Sequence, residues 1–247
     1  VTEKVEQAIG ILRETDIDLW LTFVRETSAM RDPVLPLIYG SATLTWQSAL
    51  LLGRHGERIA IVGHFDAPTA ERCGAYSEVV PYHETIRVPL LEALDRLSPG
   101  RIAINTSRDD VGADGLTHGM HGLLLAHLSG SPYAQRLTSA EGIIAALRGR
   151  KTAEELERIR RAVETTAEIF SRTFAAVRAG MTEREIGGFM HAQMRERGVE
   201  PAWDPAGCPI VNAGPESVDG HAAPGDLALA PGQILHIGFG VRRDEYC

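Results

Sequence analysis

The segment Gly214-Pro-Glu-Ser-Val-Asp-Gly-His221-Ala-Ala-Pro-Gly-Asp226 leads through Pro231-Gly232-Gln-Ile-Leu-His-Ile-Gly238-Phe-Gly240 to Tyr246-Cys247. A loop rich in Gly, Pro and Asp carries a single histidine, His221. A second turn, Pro231-Gly232, launches an apolar run that reads as a buried strand. The run ends in Gly238-Phe239-Gly240, and a charged turn, Arg242-Arg243-Asp244-Glu245, follows. The sequence given then stops inside what reads as the next strand. Everything upstream reads as a platform for this segment.

The platform has two parts. Apolar residues at Val5, Ala8, Ile11 and Leu12 have helical spacing, and Asp18 to Val24 alternates as a strand does. Gln47 to Leu52 and Arg58 to Val62 form a hairpin around a Gly-containing turn. Helices are expected over Ala67–Gly74, Thr85–Leu97 and Leu116–Leu128, with short strands at Ser77–Val80 and Arg101–Asn105. Strands alternating with helices imply an α/β layered domain. No glycine-rich phosphate loop follows any of these strands, which argues against a nucleotide site. The composition shifts near Arg136, which places a first domain at 1–136 and a second at 137–247. Thr138-Ser-Ala-Glu141, Thr152-Ala-Glu-Glu155 and Thr182-Glu-Arg-Glu185 each read as a capping box opening a helix. Between the first two lies a basic hinge, Arg148-Gly-Arg-Lys151, and the domain boundary is expected close to it. The longest helix carries Leu156, Ile159, Val163, Phe170, Phe174 and Val177 on one stripe. Cys208 to Val211 is a further expected strand.

A chain of 247 residues can bury a sizeable core. A net charge of −8 argues against a nucleic-acid or anionic-membrane partner. Cys73, Cys208 and Cys247 are far apart, and no pair has zinc-site or redox-motif spacing. A reducing cytoplasm is the natural location for such a chain. The polar N-terminus does not read as a signal peptide, and no apolar run reaches transmembrane length.

On the residues quoted, the chain resembles the creatinase/prolidase/aminopeptidase P superfamily, the pita-bread metallopeptidases. The family motif is a loop His, then Pro-x-x-Gly-Asp, four apolar positions, an Asp, any residue and a Gly, followed by a Gly-Tyr-x-Ser-Asp turn. His221 matches the loop His, Gly232-Gln233 the Gly-Asp, Ile234 to Ile237 the apolar four, Gly240 the last Gly and Tyr246 the Tyr. Arg101-Ile-Ala-Ile-Asn105 and Ala113-Asp-Gly-Leu-Thr-His-Gly119 resemble the family's N-terminal domain. Arg150-Lys151-Thr-Ala-Glu-Glu-Leu-Glu and Gly180-Met-Thr-Glu-Arg-Glu resemble the entry to its pita-bread domain. The resemblance implies a creatinase-type N-terminal α/β domain followed by an incomplete pita-bread α+β domain. It implies a hydrolase with two divalent metals (Mn, Co or Zn) acting on a proline-containing dipeptide or peptide, as a homodimer. It also implies that His221 assists at the substrate.

Two departures bear on that activity. The family's first metal-ligand Asp falls on Gly238, and its second would lie beyond Cys247. A metal pair needs an anionic oxygen between the ions, and glycine supplies none. The chain is therefore expected to bind no metal pair and to be inactive as a peptidase. Two alternatives remain: a metal-free creatinase-like amidinohydrolase using His221 as base, and a non-catalytic binding or scaffold protein. His236 shares a strand face with Gly238 and is read as a core-facing or otherwise satisfied histidine. Asp226, Asp244 and Glu245 are read as solvated turn residues. His118 and His121 are read as a surface pair at a helix start, and His64 and Asp66 as a cap for the helix that follows. Cys208 is read as a buried structural thiol and Trp203 as a packing residue.

Overall fold

The computed structural model describes residues 1–217 and 222–247, and within them the chain divides into two units, Val1–Arg150 and Lys151–Cys247. The division falls at the basic hinge and not at residue 136.

The first unit is a six-stranded mixed sheet with helices on both faces. In chain order it contains α1 (Thr2–Arg13), β1 (Leu19–Val24), α2 (Leu35–Ile38), β2 (Ser48–Gly53), β3 (Arg58–Gly63), α3 (Ala67–Cys73), β4 (Glu78–Tyr82), α4 (Arg87–Leu97), β5 (Ile102–Ile104), α5 (His118–Leu128), β6 (Leu137–Ser139) and α6 (Glu141–Gly149). The strand order is β4-β3-β2-β1-β5-β6. The β1–β2 and β2–β3 pairs are antiparallel, and the β3–β4, β1–β5 and β5–β6 pairs are parallel. Every residue of β1 is buried. The alternation expected there does not translate into one wet face, because helices cover the sheet on both sides. Trp20, Leu50, Leu52 and Val62 pack under α1, α2, α3 and α6. Leu19, Leu21, Phe23, Ile59 and Ile61 pack under α4 and α5 on the other face.

Thr138 lies in β6 and opens no capping box. Its strand pairs with β5, and the amide of Glu141 is instead accepted by the Ser139 hydroxyl at 3.1 Å. Sheet pairing has displaced a local helix signal. Lys4, buried on α1, donates to the carbonyls of Leu147 at 2.6 Å and Arg150 at 3.0 Å. Its cation thus satisfies carbonyls that the end of α6 leaves without helical partners. One polar cluster lies inside the unit. Trp20 Nε1 donates to Asn105 Oδ1 at 2.7 Å, and Asn105 Nδ2 donates to Asp32 Oδ2 at 2.8 Å. Any Cβ at position 115 would lie 2.0 Å from the Asp32 carboxylate, so the close approach requires Gly115.

The second unit contains α7 (Ala153–Ala176), α8 (Glu183–Arg197), β7 (Glu200–Pro201), β8 (Ile210–Ala213), β9 (Leu235–Gly238) and β10 (Val241–Arg242). Both capping boxes read here are formed: Thr152 with Glu155 and Thr182 with Glu185. Gly198 closes α8 at φ 63°, a conformation that favours glycine. Strands β8 and β9 pair antiparallel, as do β7 and β10. Ala162 and Ile169 of α7 pack on Met190 and Met194 of α8, with Val241 completing the cluster. The apolar stripe of α7 is only partly used: Leu156, Val163 and Phe174 are each more than half exposed.

Candidate functional site

The site indicated by the sequence is built on the β8–β9 ribbon and the loop that joins the two strands. The register is Ile210 opposite Gly238, Val211 opposite Ile237, Asn212 opposite His236 and Ala213 opposite Leu235. Side chains alternate along a strand. Val211 and Ala213 are buried on one face, whereas the other face carries Ile210, Asn212, His236 and Gly238. His236 is exposed, so the core-facing reading is corrected. It is satisfied instead by Asn212, with Nδ1 at 3.0 Å from Oδ1.

His221, the expected catalytic residue, lies outside the described residues. The two ends of its loop are described, and one carboxylate holds both. Glu183, at the first turn of α8, accepts from the Ala213 amide at 2.9 Å and from the Ser217 hydroxyl at 2.5 Å through Oε1. Its Oε2 accepts from the Gly225 amide at 2.9 Å. Burial alone would raise the Glu183 pKa. The hydrogen bonds from Ser217, Ala213 and Gly225 outweigh that effect and hold it below the usual carboxylate value. The capping box marked the start of α8 but gave no sign that the Glu next to the cap would close a loop about thirty residues on. A buried acceptor with three donors is a tertiary feature, and one sequence carries no local signal for it.

At Gly214 (φ 77°) a Cβ would meet the Gln233 side chain at 2.5 Å. Gln233, the match to the family's Gly-Asp, accepts from the Ala230 amide at 2.9 Å and so closes the turn before β9. Asp226 is exposed and paired with Arg184 at 2.8 Å, an ion pair that lowers its pKa. Asp244 lies 3.4 Å from Arg161. Asp244 and Glu245 have φ of 51° and 68°, a region that costs a non-glycine residue energy. Tyr246 donates to Glu155 at 3.0 Å, and burial, with that carboxylate beside it, pushes its pKa up to about 12.

Other sequence candidates lie elsewhere. His118 and His121 sit at the start of α5 in the first unit, where the Thr117 side chain caps the helix. Asp66 does not cap α3; its carboxylate accepts from the amides of Thr45 and Trp46 at 3.1 and 3.2 Å. His64 stacks on His83, with ring centroids 4.3 Å apart. A groove of about 590 Å³ beside it is lined by Arg25, Glu26, Trp46, Tyr82, His83 and Glu84. Cys208 is buried against the Gly240 carbonyl. Trp203 is 43% exposed and donates to the Gly207 carbonyl at 2.7 Å, so it is more a surface residue than a packing one.

The fit to a metal pair is decided on this ribbon. Gly238 offers no donor, and the side chain opposite it is the hydrocarbon of Ile210. Asp226 is engaged by arginine and His236 by an amide oxygen. Among the described residues no group of three or more His, Cys, Asp or Glu side chains could hold a metal ion. These residues do not fit a two-metal centre. Among the described residues no helix is long and apolar enough to cross a membrane.

Residues 157–247 match the model of metallopeptidase family M24. No curated protein matches the chain. Among solved structures, an Xaa-Pro dipeptidase from Bacillus anthracis is similar, with TM-score 0.66 and 18% identity over 96% of this chain and 60% of that one. An X-Pro aminopeptidase from Thermotoga maritima gives TM-score 0.64 and 22% identity over 96% and 60%. A dipeptidase from Mycobacterium ulcerans gives 0.65 and 18% over 98% and 60%. At these identities the likeness establishes the fold. The chain spans about 60% of the length of these structures.

Proposed function

We propose, from the match of residues 157–247 to the model of metallopeptidase family M24 and from the fold of the creatinase/prolidase/aminopeptidase P superfamily, that this protein derives from a hydrolase of peptide bonds next to proline. The observation that carries the reading is the order of parts in the second unit. The Thr182 capping box, β8, the sequence segment that carries His221, β9 and the Tyr246 turn follow in that order, and from His221 onward the order and spacing are those of the family motif. The substrate class is a proline-containing dipeptide or short peptide. His221 is the residue proposed to contact it, at neutral pH able to donate to a developing oxyanion or to move a proton. A homodimer in the cytoplasm, with no nucleic-acid or membrane partner, completes the proposal; the −8 charge supports the exclusion of nucleic acid.

M24 enzymes generally depend on two metal ions. The described residues do not fit such a pair, and the 247-residue chain is proposed to be inactive as a peptidase. One observation favours the metal-free amidinohydrolase alternative over the scaffold one. The face that lacks the carboxylate carries a histidine held by an amide, and proton transfer needs no metal. The test is hydrolysis of an Xaa-Pro dipeptide and of creatine by the purified chain, with and without added manganese. Proline release would overturn the inactivity. Amidine hydrolysis without metal would move the assignment to the amidinohydrolase.

A further inference from the structure

The face of the β8–β9 ribbon that lacks a carboxylate at 238 carries a chain of four hydrogen-bonded side chains. It runs from Glu183 to Ser217 (2.5 Å), from Ser217 to Asn212 (3.0 Å) and from Asn212 to His236 (3.0 Å). Its polarity can be worked out from the buried end. Glu183 faces two backbone N–H groups and the Ser217 hydroxyl. All three contacts require acceptors, so the group is the ionised carboxylate. Ser217 has one proton and gives it to Glu183. Towards Asn212 its oxygen can only accept, so the Asn212 amide NH2 points at Ser217. The amide oxygen is therefore turned to His236, and an oxygen without a proton demands a donor. That donor is Nδ1–H.

We infer that His236 is a held proton acceptor of this ribbon. Its Nδ1–H is locked on Asn212, and its Nε2 lone pair is left to accept a proton. The inference deepens the metal-free reading above and rests on taking this face as the site. Nε2 has no partner among the described residues, and His236 itself is exposed. The step it supports is simple in its balance. A bound water gives a proton to Nε2 as its oxygen bonds to the guanidino or amide carbon of the substrate, whose π pair moves onto the attached nitrogen or oxygen. The imidazole becomes imidazolium, Nδ1–H continues to donate to Asn212 Oδ1, and no other bond in the relay changes. An imidazole that can be protonated without reorganising its support is preorganised for general-base work.

The test is histidine ring-nitrogen NMR on the whole 247-residue chain labelled with 15N. In the neutral form, His236 is expected to show a protonated Nδ1 and an unprotonated Nε2, the reverse of the form that predominates in free histidine. On acidification the large shift should fall on Nε2, with Nδ1 nearly still. Asn212→Ala should return His236 to the Nε2–H form. Asn212→Asp, which keeps an acceptor at the same place, should retain Nδ1–H. An Nε2–H or evenly mixed His236 in the unmodified chain overturns the inference, and so does an unchanged Nδ1–H form in Asn212→Ala. The unmodified chain decides the matter even where a variant fails to fold. Turnover plays no part in the readout. A chain with the expected tautomer that hydrolyses neither substrate would count against the hydrolase reading alone.

Discussion

Ile210 stands directly opposite Gly238 across the β8–β9 pair, and a Cβ placed at 238 would lie 3.4 Å from the Ile210 Cβ. That is ordinary van der Waals contact, so the backbone of β9 does not exclude a side chain there. Gly238→Asp is expected to fold, with stability changed by about 1 kcal/mol or less, since a half-buried position opposite hydrocarbon tolerates a short side chain at modest cost. It should not by itself create a metal pair, because a single added carboxylate still lacks the anionic partners that two cations need. Chemical denaturation and metal analysis of the variant check both statements. Loss of folding would show that the ribbon is closed to a side chain at 238.

Glu183 is expected to be the most sensitive residue of the second unit. Removing its carboxylate in Glu183→Ala leaves the buried amide of Ala213 and the half-buried amide of Gly225 without this acceptor, at about 1–3 kcal/mol for the buried one and less for the other. Amide hydrogen exchange should accelerate at Ala213 and Gly225 and stay unchanged in β1 and β2. The pH dependence follows from a depressed pKa. The contribution is complete above the unfolded value near 4.5 and is lost as pH falls through the lower folded value. Equal exchange at these amides in variant and parent would show that the carboxylate does not close the loop.

Asp32 should behave in the opposite sense. Burial raises its pKa, although Asn105 and the Val34 amide donate to it. The folded unit therefore holds the proton to higher pH than the unfolded chain does. Relative to Asp32→Asn, stability should decline as pH rises from the unfolded value near 3.8 through the raised folded value. A parent that gains stability relative to Asp32→Asn as pH rises over that range would contradict this.

The hinge Arg148–Lys151 should be the first site of tryptic cleavage. Arg150 is exposed and bonded to Glu14 at 2.7 and 2.8 Å, an exposed pair of small energetic weight. The sheet of residues 1–150 contains both of its hydrophobic clusters within the unit. The fragment released should remain folded by circular dichroism. First cleavage inside the sheet, or an unfolded fragment, would place the boundary elsewhere.

Local signals in the sequence were reliable where the structure is also local. The Thr152 and Thr182 boxes, the Gly198 cap and the hairpin of β2 and β3 are all set by neighbours within a few residues. The Thr138 box failed because the sheet takes that residue, and strand pairing lies outside any short window. Two-residue β7 was invisible for the same reason: it exists only as the partner of β10. At the site, the period of two placed His236 and Gly238 on one face, but it could not say that this face is the exposed one. That depends on Val211 and Ala213 being buried on the other side. Nor could sequence spacing reveal that Glu183, Ser217, Asn212 and His236 form one relay, since the contacts join positions up to 34 residues apart.

The most direct measurement is metal content and turnover of the unmodified 247-residue chain. After equilibration with manganese, cobalt or zinc and gel filtration, elemental analysis should find well under one ion per chain. An Xaa-Pro dipeptide should release no proline. Two retained ions per chain, or proline release above the protein-free control, would contradict the account.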